Sequence, residues 1–398
     1  MANPLTKEDK VLLNLLAKSM FGADVEIDYK DIDFEKLFLE SVSQTVLAQA
    51  FDALPLEVRR YNPQVYDTWQ EYAYFVVRSN SKQLSSNVKL ENDFKNAGLK
   101  ICTIKGFASA YYYNKPHLRQ MGDIDFLVPA EDMEKSRLFL LDNGYEQMHN
   151  DGTEDEHFHI TFKKSNDIYE MHRGINLAQE TNGQVDKYMS RIFDNSVCVN
   201  FDSLQLVVPS VFNHGLIMLL HIQRHLFGSG IGLRHLCDWA AFVNSVDNGT
   251  WVDTFEQKLK GVHLWRLAQA LGKVASIYLK MPEKDWFAEI EPELAQELLV
   301  DILSGGNFGI KNSKRTQENF FVLANDKDKL SSYVKKLINK VFGWRPFYKK
   351  HKWLLPVGIV AYTLRISFLL LIGKRRINLV QTHKNGAARD KLYKNLFS

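Results

Sequence analysis

The sequence predicts an α+β protein in which a small mixed β-sheet lies between helical units at either end. Three observations predict it. Apolar residues recur at helical spacing over residues 6–97, short β-type runs crowd into residues 99–208, and longer helical patterns return after Pro209. The expected boundaries are an N-terminal helical unit at 1–97, an α/β core at 98–208, a helical C-terminal unit at 209–330 and a basic tail at 331–398. At 398 residues and 45% hydrophobic content, the chain exceeds a typical single domain and has enough apolar side chains for real cores.

Taken in order, Val11, Leu12, Leu15, Leu16 and Met20, then Leu37, Phe38 and Val42, trace the inward faces of the first helices. A long helix over residues 56–97, broken near Pro63, leads into the first strand at Leu99. Strands are expected within 99–104, 124–128, 145–149, 157–163, 168–172 and 197–208, with a helix at 107–114 opening at the Lys105-Gly106 turn. Further helices are expected at 211–227, 233–243, 264–279 and 292–303, with linkers at the glycine turn 228–232 and the polar segment 305–317.

Cys102, Cys198 and Cys237 are widely spaced and lack any C-x-x-C pairing, which argues against a disulfide framework and a zinc ribbon and for a reducing compartment. Lys7, Glu8, Asp9 and Lys10 precede only a short apolar stretch, so no cleavable signal peptide is expected and a cytoplasmic location follows. The net charge of +3 hides an asymmetry: residues 331–398 hold 15 Lys and Arg against one acid, Asp390, so the tail carries +14 and the rest −11. Such a block can seek anionic lipid, nucleic acid or a polyanionic substrate, or lie as a lysine-rich surface on the acidic body.

The chemistry-bearing motif is Gly122-Asp123-Ile124-Asp125-Phe126-Leu127-Val128. Alternation along a strand puts Asp123 and Asp125 on one face and sends Ile124 and Phe126 into the core. Adjacent carboxylates repel unless cations sit between them, and hard divalent ions such as Mg²⁺ take oxygen ligands. The plainer reading is a turn aspartate beside a strand-end aspartate, both solvated. Three neighbours favour the metal site: the Lys105-Gly106 turn with its helix start, suited to phosphate; Arg119, whose planar fork suits phosphate oxygens; and Glu170, a natural third carboxylate that shares a strand face with His172.

Three stretches resemble the nucleotidyltransferase superfamily of DNA polymerase β type, and more closely an uncharacterised bacterial NTP-transferase family found near polysaccharide and peptide-modification genes. They are Ile104-Lys105-Gly106-Phe107-Ala108, Arg119-Gln120-Met121-Gly122-Asp123-Ile124-Asp125-Phe126-Leu127-Val128 and Tyr169-Glu170-Met171-His172, with a weaker likeness centred on Gly230-Ile231-Gly232-Leu233-Arg234. Where the superfamily usually has Gly-Ser after its first strand, this chain has Lys105-Gly106, with Ser109 three residues on. The resemblance implies a nucleotidyltransferase core that moves a nucleoside monophosphate from an NTP to an acceptor and releases pyrophosphate. It implies two Mg²⁺ or Mn²⁺ ions on Asp123, Asp125 and Glu170, with Lys105, Gly106, Ser109, Arg119 and Arg234 holding the nucleotide. The acceptor stays open among a small molecule, a glycan, a peptide and a protein. Two alternatives stand beside it: a non-catalytic nucleotide-binding or scaffolding protein on the same fold, and a metal-dependent hydrolase built on His221, His225 and Asp238.

Within the helical C-terminal unit two readings stand: Asp238 pairs with Arg234 at i,i+4 while the histidines hydrogen-bond in a cleft wall, or Arg234 or His225 meets the triphosphate or acceptor. The segment Gly305-Gly306-Asn307-Phe308-Gly309, followed by Lys311, Lys314 and Arg315, reads either as a phosphate-contacting loop or as a flexible connection. The apolar run 353–373 is long enough to cross a bilayer, yet Arg365 lies near its middle and both flanks are basic. An interfacial helix on anionic lipid, a core or partner-facing helix, and a spanning helix are the three readings. The first implies a cytoplasmic protein peripheral at the inner membrane.

Overall fold

The computed structural model describes residues 5–148, 159–175, 177, 181, 183–312, 314–323, 329–371 and 379–397. Described residues up to Asn312 form one compact unit and those from Lys314 onward a second. The architecture is α+β, as the sequence predicts.

Three helices open the first unit: α1 (Lys7–Phe21), α2 (Phe34–Ser43) and α3 (Leu47–Asp52). Thr6 and Asp9 cap α1 reciprocally, and Gly22 ends it at φ 62°, a left-handed conformation that glycine adopts without a Cβ clash. The break near Pro63 is present. Leu56–Arg60 forms a separate 3₁₀ turn, and α4 (Pro63–Asn96) starts with Pro63 in its first turn, where no intrahelical N–H is needed. Over its 34 residues α4 buries Trp69, Leu90 and Phe94, but also Asn80, Gln83, Asn87 and Glu91. Buried polar groups require partners. Those of α4 largely find them in the core that follows.

That core comprises β1 (Cys102–Thr103), α5 (Gly106–Ala110), β2 (Ile124–Leu127), α6 (Met133–Asp142), β3 (Glu146–Gln147), β4 (His159–Lys164) and β5 (Asp167–His172). The five strands lie in the order β1-β2-β5-β4-β3. Only β2 and β5 run parallel; the other pairs are antiparallel. Leu90 and Phe94 of α4, Leu140 of α6, Ile124 and Phe126 of β2, Phe162 of β4, and Tyr169 and Met171 of β5 form one apolar layer. Each such side chain contributes about 1.5–3 kcal/mol on burial. That layer pins the register, because a one-residue slip would drive the neighbouring acids into it. A short helix, α7 (Gln184–Met189), follows. The 197–208 run is a hairpin of β6 (Val197–Phe201) and β7 (Leu204–Val208) turning at Asp202 and Ser203.

Helices α8 (Val211–Phe227), α9 (Leu233–Ser245), Trp265–Leu279 and Pro292–Gly305 complete the unit. Gln44 Oε1 accepts the Leu233 N–H at 2.9 Å, which satisfies one orphan donor at the start of α9. The glycine turn before α9 packs on the segment after residue 305: a Cβ at Gly232 would lie 2.9 Å from the Asn307 Cβ. Lys311 pairs with Glu40 at 2.7 Å. Phe308 and Gly309 are therefore part of the packed unit.

The second unit contains the helices Lys329–Trp344, Leu355–Leu371 and Leu379–Leu396. Arg389 pairs with Glu318 at 3.2 Å, and Arg315 donates to the Tyr393 hydroxyl at 2.9 Å, all four side chains being buried. Trp353, in the 3₁₀ turn before the middle helix, and Val357, Val360, Leu364 and Phe368 along it form a stripe in which every member is more than half exposed. Among the described residues, the window Lys352–Leu369 is long and apolar enough to cross a membrane by length and composition.

Candidate active site

Asp123 ends the loop that feeds β2, and Asp125 lies two residues further along. Because β2 and β5 run parallel with Asp125 opposite Glu170, the two carboxylates are neighbours on one sheet face. Ile124, Phe126, Tyr169 and Met171 alternate into the apolar layer behind them. One carboxylate oxygen from each of Asp123, Asp125 and Glu170 lies within 4.8 Å of the others.

The loop 117–122 is held from two sides. From α4, Asn80 Nδ2 donates to the carbonyls of His117 and Arg119 at 2.8 Å each, and Gln83 Nε2 donates to the Gly122 carbonyl at 2.7 Å. From α9, Asp238 accepts two hydrogen bonds from Arg119, Nε and Nη2 each at 2.7 Å, and a third from the Tyr113 hydroxyl at 2.7 Å. Asp123 is thus carried on a loop tied to both a long helix and a later one.

The charges are unevenly balanced. Repulsion from Asp125, together with burial and Glu170, pushes the Asp123 carboxyl up to about 7. Burial also works against Asp125, but the Lys105 ammonium at 2.5 Å and the His172 Nε2 at 2.8 Å outweigh it and hold that carboxyl well below the usual range. For Glu170, burial is again outweighed, here by His172 at 3.3 Å, and its carboxyl is lowered. Burial opposes the charge on Lys105 and His172 as well, yet the facing carboxylates prevail and raise both. Lys105 delivers its charge from a φ of 53° and ψ of −133°, a left-handed backbone for a residue with a Cβ. Such outliers cost on the order of 1–3 kcal/mol and cluster at functional sites. Three converging oxygen donors, with no ion pair at Asp123 among the described residues, fit a hard divalent cation.

The remaining predicted residues divide. Gly106 opens α5 beside Asp123, 3.8 Å separating its would-be Cβ from the Asp123 carbonyl oxygen. Ser109 is buried, its hydroxyl 3.5 Å from His214 Nε2. Arg119, expected to hold phosphate, has its fork occupied by Asp238. The expected Arg234–Asp238 pair gives way for the same reason: the buried carboxylate is saturated by a bidentate guanidinium and a phenol. Arg234 instead reaches the Gln120 carbonyl with Nη1 at 3.5 Å and the Phe308 ring at 5.7 Å, and its buried Nε has no hydrogen-bond partner among the described residues. Burial and the nearby Arg119 guanidinium lower the Arg234 pKa, and Asp238 and Asp123 offset them only in part.

The histidines His221 and His225 gather with His235, ring centroids 4.5–6.1 Å apart, but Asp238 is committed elsewhere. Among the described residues, the groups of His, Cys, Asp and Glu whose donor atoms converge within 4.8 Å are Asp123/Asp125/Glu170 and His159/Glu170/His172. His159 was not singled out from sequence. It lies directly opposite His172 in the antiparallel β4–β5 ladder, and the Glu170-x-His172 alternation was its available signal.

A family model described as uncharacterised nucleotidyltransferase matches residues 31–280, from α2 through the sheet to the helix after α9. The chain belongs to this family. The matched span contains the carboxylate cluster, Lys105 and Arg234, so the protein is an enzyme of the nucleotidyltransferase class. No curated protein matches the chain significantly.

Proposed function

We propose that the enzyme transfers a nucleoside monophosphate from an NTP to an acceptor nucleophile and releases pyrophosphate. The observation that carries this reading is the convergence of Asp123, Asp125 and Glu170 across two adjacent strands. These carboxylates would hold two divalent ions, Mg²⁺ or Mn²⁺, which when bound polarise the α-phosphate and lower the pKa of an attacking hydroxyl. Glu170 would also serve as general base for the attacking group. Lys105 keeps Asp125 ionised and supplies positive charge toward the triphosphate. Arg234, with no carboxylate partner among the described residues, is suited to the same anion. Arg119 acts at one remove, through the loop it fixes. Most of the rate enhancement would come from positioning and charge neutralisation.

The experiment is incubation of the protein with each α-labelled NTP and Mg²⁺ or Mn²⁺. Transfer of label to protein, lysate or small molecules, with pyrophosphate released, supports the reading. Nucleotide binding without either product would support a non-catalytic nucleotide-binding protein instead.

The basic tail supports a second element of the proposal, a cytoplasmic protein that rests on an anionic membrane surface. The exposed stripe from Trp353 to Phe368 provides apolar area, and flanking Lys349, Lys350 and Lys352 provide charge. Arg365 lies 5.4 Å from the Trp344 ring, on the same helix pair, which favours lying in the interface over spanning it.

A further inference from the structure

The carboxylate cluster has a nitrogen-rich flank that an oxygen-only magnesium site does not require. His159 Nε2 lies 3.7 Å from Glu170 Oε1, His172 Nε2 lies 3.3 Å from Glu170 Oε2, and His172 Nε2 lies 2.8 Å from Asp125 Oδ1. Ligands at about 2.0–2.2 Å from one ion stand roughly 2.8–3.6 Å from each other at octahedral to tetrahedral angles. The observed donor spacings span that range. The two imidazole rings are 5.2 Å apart between centroids and tilted by 44°, and one nitrogen of each lies within 4.8 Å of the other and of a Glu170 oxygen.

The backbone makes this arrangement rigid. His159 and His172 are direct cross-strand partners in β4 and β5, and Glu170 is two residues from His172 on the same face. Asp125 adjoins Glu170 from the parallel strand β2. His172 is buried, and the His159 side chain is 12% exposed. Metal sites held on strands are more precise than sites held on loops.

From this geometry we infer that His159, Glu170 and His172 form a binding site for a divalent transition-metal ion. Glu170 would bridge it to the Asp123/Asp125 side. Mg²⁺ prefers oxygen and keeps its waters, whereas Mn²⁺, Co²⁺ and Zn²⁺ accept imidazole. The inference deepens the proposed activity by naming the metal class that the same cluster selects, and it rests on that reading only through the shared Glu170.

Mn²⁺ and Mg²⁺ titrations of the metal-free full-length protein test it, with pulsed electron paramagnetic resonance of the bound Mn²⁺ as the decisive readout. Mn²⁺ is expected to bind at least about tenfold more tightly than Mg²⁺, with hyperfine coupling from directly bonded nitrogens. His159→Gln and His172→Gln should each remove part of that coupling, while circular dichroism verifies that they fold. Loss of affinity alone does not decide, because a residue that merely orients a ligand also changes metal affinity by about 10- to 100-fold. Bound Mn²⁺ without nitrogen coupling overturns the inference, and so does equal affinity for Mg²⁺. Label transfer that persists in that case leaves the proposed activity standing. Nitrogen-coordinated Mn²⁺ in a protein that transfers no label supports the metal site and refutes the activity.

Discussion

Replacing Asp238 by alanine should destabilise the first unit more than any loss of a surface ion pair. Arg119 and Asp238 are 4% and 6% exposed, and the carboxylate accepts three hydrogen bonds of 2.7 Å, two from Arg119 and one from Tyr113. Asp238→Ala leaves a buried guanidinium and a buried phenol without their acceptor. Burial disfavours the charge of Arg119, and Asp238 outweighs that cost, lifting the guanidinium pKa above its ordinary value. Breaking a buried pair of this kind costs about 3–5 kcal/mol, whereas exposed pairs such as Lys7–Asp31 contribute about 0–1 kcal/mol. The double replacement Arg119→Met/Asp238→Leu should recover most of the loss, because no unpaired charge remains. Urea unfolding followed by tryptophan fluorescence, with the buried Trp239 adjacent to the substitution, measures all three variants. A loss below about 1 kcal/mol in Asp238→Ala would refute the argument.

Asp123→Asn and Asp125→Asn should each lower label transfer by at least about 10²–10³-fold, the first with the fold intact and the second with some loss of stability, because Asp125 is the buried charge partner of Lys105 and His172. Undiminished turnover in either would remove the basis of the proposed chemistry. Glu91, buried on α4 and hydrogen-bonded by Thr103 and the Val207 N–H, has a carboxyl pushed up to about 7 by burial, against 4.5 for the ordinary group. The folded state therefore holds the proton more tightly. Its contribution is fully present below about pH 4.5 and fades as pH rises through about 7, by up to about 3 kcal/mol. The difference in melting temperature between wild type and Glu91→Gln should shift in favour of the variant across that window, and a pH-independent difference would contradict the linkage. Full-length protein should sediment with vesicles containing anionic lipid and be released by salt, since the Debye length is about 8 Å at physiological ionic strength. Replacing Trp353, Leu364 and Phe368 with Ser should abolish sedimentation; unchanged binding would rule out the stripe as the contact.

The alternation Asp123-Ile124-Asp125-Phe126 and its echo Tyr169-Glu170-Met171 were sufficient to place Asp125 and Glu170 on strands, Asp123 at the entry to the first, and their apolar neighbours in the core. Two-residue periodicity is a local property, so it is legible in the chain. The proline that starts α4, the helical run after Pro209 and the family-bearing stretches were legible for the same reason. Which strands are neighbours was not. The parallel pairing of Asp125 with Glu170, 45 positions apart, and the antiparallel pairing of His172 with His159 depend on sheet order. Sheet order is set by the whole apolar layer of Phe94, Phe126, Phe162 and Met171. The partner of Asp238 was likewise a tertiary decision. Helical spacing favoured Arg234, but a buried carboxylate is stabilised by the donors that saturate it, and folding brought the Arg119 fork and the Tyr113 hydroxyl to it from over a hundred residues away. Local sequence determined which residues carry charge and which face they share. Only the packed fold decided which charges meet, because burial makes an unmatched charge too costly to leave in place.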